Sequence, residues 1–67
     1  PQGDVEDFIL NVVRNSSDVN GIPYDSIVLA CTEAGFSRES SEDAIEDLRD
    51  IKCKIIEPRF GFFQILD

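Results

Sequence analysis

The stretch from Ser37 to Ile51 constrains this chain more than any other, because it is apolar on one side and carboxylate on the other at helical spacing. Ala44, Ile45, Leu48 and Ile51 fall on one face of a helix. Ser37 has the side chain to cap its start, and Glu39 in the first turn suits the positive end of the helix dipole. The other face carries Glu39, Glu42, Asp43, Glu46, Asp47 and Asp50, against only Arg38 and Arg49. Ser41 interrupts the apolar stripe, which implies either an underpacked start or a helix beginning near Ser40.

Two further stripes precede it. Val5, Phe8, Ile9, Val12 and Val13 recur at helical spacing after Asp4, which reads as a cap. The cluster Asn15-Ser16-Ser17-Asp18, running on to Asn20-Gly21, is loop chemistry. Asp18, Asn20 and Gly21 echo a calcium-binding loop, but its last ligand position would be Ile27 where a bidentate Glu is needed, so no calcium site is expected. Ile22 reads as a one-residue strand, and Pro23 suits the first turn of a second helix. Tyr24, Ile27, Val28 and Cys31 form that helix's stripe, Gly35 is its left-handed cap, and Phe36 is expected to pack back onto it.

After Ile51 the pattern changes. Lys52 to Glu57, centred on Ile55-Ile56, reads as a strand that Pro58 should end, since proline cannot donate to a ladder. Gly61 supplies the turn, and Phe62-Phe63-Gln64-Ile65-Leu66 returns. Helix, turn, helix and terminal hairpin give an α+β fold, a small winged helix. It should have helices near 4–15, 23–34 and 38–51, a hairpin near 53–66, and one domain across residues 1–67. Phe8, Ile9, Val12, Ile27, Val28, Ile45 and Leu48 are expected to be buried together.

With 67 residues there is room for one small core. The hydrophobic share of 42% is too high for a disordered tail. A net charge of −8 is the wrong sign for a free-standing nucleic-acid binder, whose affinity comes mainly from neutralising phosphates. It points to a basic protein partner, to solubility or to a salt-adapted source. No histidine is present, no Ser- or Cys-centred triad can be assembled, and there is no glycine-rich phosphate loop, so an independent enzyme is not expected, nor a cofactor. The i, i+4 pairs Glu42 with Glu46 and Asp43 with Asp47 read as a solvated or partner-docking face rather than a catalytic dyad.

Cys31 and Cys53 make no metal-binding pair and read as two small buried hydrophobes in a reducing, cytoplasmic setting. There is no apolar run of about 18 residues and no signal peptide, so no membrane is expected. Opening on Pro1-Gln2-Gly3 without any Met, the chain reads as a processed piece or a domain cut from a longer protein.

Lys52, Lys54 and Arg59, three of the six bases, lie on or beside the hairpin, and Phe60 and Phe62 interleave with Arg59 at its tip. These bases are the candidates for any DNA contact. The candidate partner surface is Glu39, Glu42, Asp43, Glu46 and Asp47 together with Arg59, Phe60 and Phe62. One of the two rings, Phe60 or Phe62, is the alternative candidate to fold inward and complete the core.

The text Ile55-Ile56-Glu57-Pro58-Arg59-Phe60-Gly61-Phe62-Phe63-Gln64-Ile65 resembles the closing segment of archaeal minichromosome maintenance (MCM) proteins, the replicative helicases. That family ends in a winged-helix domain whose last residues read as an aliphatic or aromatic residue, Glu-Pro, then Gly followed by an aromatic and alternating apolars. The upstream text fits as well, through the loop at Gly21-Ile22-Pro23, the helix closed by Gly35, and Ala44-Ile45 with Leu48. The resemblance spans essentially the whole chain, with Glu57-Pro58 and Gly61 its motif-like positions. It implies a regulatory appendage that modulates ATPase and unwinding activity carried by other domains, and that binds those domains or a loading factor. A weaker resemblance is to winged helices of single-stranded DNA-binding, replication protein A-like proteins and the proteins encoded beside them. A small winged-helix transcription regulator is a third reading, and the acidic third helix counts against it.

Overall fold

The computed structural model describes residues 2–16 and 18–66; Ser17 of the loop cluster and the terminal Pro1 and Asp67 lie outside the described residues. The elements run α1 (Gln2–Asn15), β1 (Ile22–Pro23), α2 (Tyr24–Glu33), α3 (Arg38–Glu46) continued by a π-helical turn (Asp47–Ile51), β2 (Ile55–Arg59) and β3 (Phe62–Ile65). The three strands form one antiparallel sheet in the order β1-β3-β2. The described residues form a small α+β domain of three helices and a three-stranded sheet.

Local chemistry explains where the elements start and stop. Asp4 does not cap α1, which already begins at Gln2; the carboxylate lies in the first turn, where the dipole favours it. Pro23 stands one place before α2 as its N-cap, extended at φ −64° and ψ 147°, and so also serves as the end of β1. The end of α2 is closed by two backbone bonds, Phe36 N to Cys31 O at 3.0 Å and Gly35 N to Thr32 O at 3.1 Å, with Gly35 left-handed at φ +100°. These are the paired bonds of a Schellman cap. Phe36, thus turned back, meets Phe8 of α1 with ring centroids 5.5 Å apart. At α3, Ser37 Oγ accepts from Ser40 N at 3.0 Å, and the helix starts at Arg38. Ser41 is fully buried, and its hydroxyl donates to Ser37 O at 2.7 Å, so the interruption in the stripe is a satisfied polar group.

The core joins Val5, Ile9 and Val13 of α1 to Ile27, Val28 and Cys31 of α2, to Ala44, Ile45 and Leu48 of the third helix, and to Ile55 and Phe63 of the sheet. Three expectations need correction. Phe8 is only half-buried against this cluster and Val12 is half-buried outside it, because α1 turns Val5, Ile9 and Val13 inward and the rest of its stripe sideways. Ile51 is 72% exposed. The π turn is the reason: Lys52 N bonds Asp47 O, five residues back, at 2.8 Å, and the extra residue per turn rotates Ile51 off the face that holds Leu48. Cys53 is exposed and left-handed, with φ +54°, rather than buried. It reverses the chain so that Lys54 N reaches Leu48 O at 2.8 Å, and β2 therefore starts at Ile55 and not at Lys52.

Pro58 does not end β2. The pairing passes from Ile56↔Gln64 to Arg59↔Phe62 with a shift of register between them, so Pro58 lies in the irregular stretch where a donor is not needed. Gly21 is buried at φ +92°, and a Cβ there would stand 2.8 Å from Phe63 O. Gly21→Ala should destabilise by about 2 kcal/mol or more, from left-handed strain plus the backbone collision. Leu48→Ala should cost about 2–5 kcal/mol, comparable with the whole stability of a domain this size. Urea unfolding followed by circular dichroism measures both. A Gly21→Ala variant as stable as the parent would mean that the β1–β3 approach is looser than described.

Candidate functional site

The hairpin tip is fixed by a chain of charged groups. Arg49, in the π turn, donates from Nε and Nη2 to both oxygens of Asp50 at 2.8 and 2.9 Å, and from Nη1 to Glu57 Oε1 at 2.9 Å. The other Glu57 oxygen accepts the Gly61 N–H at 2.7 Å, and Gly61 O accepts from Tyr24 N at 2.8 Å. Gly61, at φ +82°, is therefore held on one side by the third helix through Glu57 and on the other by the start of α2. The Asp50 and Glu57 carboxylates keep Arg49 firmly charged, and Arg49 holds Asp50 below the usual carboxylate range.

What this platform presents is Phe60, 97% exposed at the tip. Neither Phe60 nor Phe62 enters the core. Phe62 is half-buried with the Arg59 guanidinium 4.2 Å above its ring, and the aromatic that completes the core is Phe63, whose ring lies 6.1 Å from that of Tyr24.

The acidic residues divide. Glu42, Asp43 and Glu46 line one hollow with Tyr24, Ile45 and Arg49. Glu39 is exposed one turn earlier, and Glu42 is paired with Arg38 at 3.2 Å. Asp47 points elsewhere: its carboxylate accepts from Gln2 Nε2 at 2.9 Å, against α1. The expected continuous acidic wall is thus a patch of Glu39, Glu42, Asp43 and Glu46, with Asp47 turned away. A second hollow, lined by Tyr24, Arg49, Glu57, Phe60, Gly61 and Phe63, adjoins the first through Tyr24 and Arg49. The hairpin tip and the acidic patch are therefore one continuous surface.

Lys52 and Lys54 both lie near Glu6 of α1, and Arg59 stands apart from them. Lys52 Nζ bonds Glu6 Oε1 at 2.6 Å, which draws it onto α1. Lys54 precedes β2 and Arg59 ends it, roughly 16 Å apart at the rise of a strand. Among the described residues no cluster of three His, Cys, Asp or Glu is placed to share a metal ion, and no helix is long and apolar enough to cross a membrane. Asp18 instead shapes its own loop, accepting from Asn20 N at 2.9 Å on its carboxylate and from Gly21 N at 3.0 Å on its carbonyl.

From the sequence, Tyr24 reads only as part of the core stripe, Arg49 only as a base on the acidic face, and Glu57 only as a strand end and motif position; their joint role at the hairpin tip was missed. The spacing of Glu57 to Gly61 across Pro58 was the available signal. Comparison with protein-family models, with curated proteins and with solved structures gives no match to this chain.

Glu6 is almost fully buried, and its hydrogen bond from Lys52 pulls its carboxyl below the usual carboxylate range against the opposing effect of burial. Because the folded-state pKa is the lower one, this contribution to stability is complete above about pH 4.5 and is lost as pH falls through the folded value. Glu6→Gln should therefore flatten the decline of melting temperature on acidification below about pH 4.5 while lowering stability at neutral pH. Glu57→Ala should raise the hydrogen-exchange rate of the Gly61 amide by about tenfold or more, the effect of losing a bond to a charged acceptor. An unchanged Gly61 rate would show that Tyr24 alone holds the tip.

Proposed function

We propose that this chain is a winged-helix domain serving as a protein-interaction and regulatory module of a DNA replication protein, with an MCM-type replicative helicase as its parent. Support for the fold comes from the element order, helix, short strand, two helices and a hairpin, with the hairpin after the third helix as the wing. Support for the parent comes from the resemblance of residues 55–65 and the upstream text to the closing domain of that family.

The observation that carries the functional reading is the charge of α3. In a winged helix that reads DNA, this helix enters the major groove. Here its outward side holds Glu39, Glu42, Asp43 and Glu46, and its one base, Arg38, is tied to Glu42. Of the wing bases, Lys52 is neutralised by Glu6 and Arg59 lies over Phe62. A domain built this way contributes to a replication machine by touching other proteins, its own parent's domains or a loading factor, and binds duplex DNA weakly or not at all.

Two measurements test the reading. Anisotropy titration of labelled duplex DNA at low salt should give a Kd weaker than about 10⁻⁴ M, the weak end of non-specific binding. A Kd tighter than about 10⁻⁶ M with a steep salt dependence would overturn it, since that slope counts phosphate contacts. Removing the domain from the parent helicase should change ATPase and unwinding rates without abolishing nucleotide hydrolysis. Identical rates would remove the regulatory role.

A further inference from the structure

We propose that the groove running from Glu42, Asp43 and Glu46 past Tyr24 to Phe60 receives a basic segment of a partner protein, which seats an apolar side chain beside Phe60. This rests on reading the domain as a protein-interaction module and names the chemistry of its partner.

The apolar half comes first. Phe60 is 97% exposed, yet the residue after it is pinned through both its N–H and its C=O, at 2.7 and 2.8 Å. The ring thus stands on an ordered turn, and little further backbone order has to be imposed on binding. Beside it, the hollow against Tyr24 and Phe63 offers mostly carbon, because Arg49 and Glu57 turn their polar heads onto each other. Exposed aromatic rings beside a hollow of this kind are the usual anchors of protein interfaces.

The charged half selects the occupant. The adjoining hollow shares Tyr24 and Arg49 and is walled by Glu42, Asp43 and Glu46. Its one lining cation, Arg49, is already engaged by Asp50 and Glu57. Glu42 and Glu46 lie one helical turn apart, a spacing of about 6 Å that lysines or arginines on successive turns, or alternate strand positions, can match. Duplex DNA and an anionic membrane are both repelled by this wall. So is a second copy of a chain carrying −8. A basic segment with one apolar residue between its cations satisfies both halves, the charges steering it and the apolar contact holding it.

The test uses the 67-residue chain and a fluorescein-labelled amphipathic peptide of lysine and leucine. Its controls are a lysine–serine peptide and a glutamate–leucine peptide of equal length. Binding is followed by anisotropy and mapped by ¹H–¹⁵N NMR. The lysine–leucine peptide should bind, shifting the amides of Tyr24, Glu42, Glu46, Phe60 and Gly61. Phe60→Ala should weaken it about tenfold or more with an unchanged melting temperature, since the ring is 97% exposed and lies outside the core. Glu42→Lys with Glu46→Lys should weaken it comparably, and Glu42→Gln with Glu46→Gln, which adds no repulsion of Arg38, should weaken it less. The lysine–serine peptide should bind more weakly and the glutamate–leucine peptide not at all.

Equal affinity for the lysine–serine peptide, shifts confined to another face, or an undiminished affinity in Phe60→Ala would overturn the proposal. Dimerisation abolished by Phe60→Ala would also overturn it, by making a second copy the occupant. If the peptide binds as described but the parent helicase ignores loss of the domain, the groove stands and the regulatory reading falls. If the helicase depends on the domain while Phe60→Ala and the charge reversals leave it unaffected, the groove falls alone.

Discussion

The central strand β3 is what every other part of this domain leans on. Among the described residues, Phe62–Ile65 is the only segment paired on both edges, to β1 through Ile22↔Phe63 and to β2 through Ile55↔Ile65. Its inward residue Phe63 is the largest side chain to be fully buried. The fit of β3 against β1 depends on Gly21, where no side chain could stand without meeting the Phe63 carbonyl. Because Gly21 also ends the loop that Asp18 folds, and Gln64 Nε2 donates to Val19 O at 2.9 Å, the loop after α1 is registered on the same strand. A single strand of four residues thus sets the position of the α1–β1 loop, the start of α2 and the hairpin tip.

Polar and ionic side-chain contacts do a different job. Exposed pairs contribute about 0–1 kcal/mol, so of the ion pairs here only Lys52 with the buried Glu6 carboxylate is placed to add much to stability. Their geometry matters more. Lys52 with Glu6 and Gln2 with Asp47 bind the end of the third helix to α1. Arg49 with Glu57 binds the same turn to the hairpin. Along this turn Asp47 and Lys52 face α1 while Arg49 faces the hairpin. The cost falls on Ile51, left in water, and on Cys53, held in a left-handed conformation that non-glycine residues disfavour. π turns commonly mark functional segments, and here the turn orders the surface around Phe60.

Helical periodicity was legible in the sequence because burial on one face is a strong, local signal. Val5 and Ile9, Ile27 and Val28, and Ala44, Ile45 and Leu48 all entered the core from the faces their spacing predicted. So did Ser37 as a cap and Gly35 as a stop, whose roles depend on a handful of neighbouring atoms. Features that depend on distant partners were not legible. Nothing in the text near Ile51 announces a bond reaching one residue too far, and Phe8 and Val12 share a stripe with Val5 and Ile9 but not their neighbours in space. For the surface, the acidic residues were visible, but the division that sends Asp47 to Gln2 and leaves Glu42, Asp43 and Glu46 together needed the packing of α1. Arg59 sits close to Lys52 and Lys54 in sequence, yet the length of β2 carries it away from the pair that lies near Glu6.

An exposed aromatic on so small a domain is a hazard as well as an opportunity, because a fully exposed ring favours self-association. Two properties of this chain limit the hazard. Its charge of −8 makes copies repel at the distances where apolar contact could begin, within a Debye length of about 8–10 Å. The hairpin is also short, and Pro58 lies in its outer strand, which leaves an edge poorly suited to pairing with another sheet. The same charge that keeps copies apart lowers the barrier to a cationic visitor. In the proposed interaction, selectivity would follow from that asymmetry: Phe60 is open to any apolar group, and the carboxylates of α3 would decide which ones come near enough to use it.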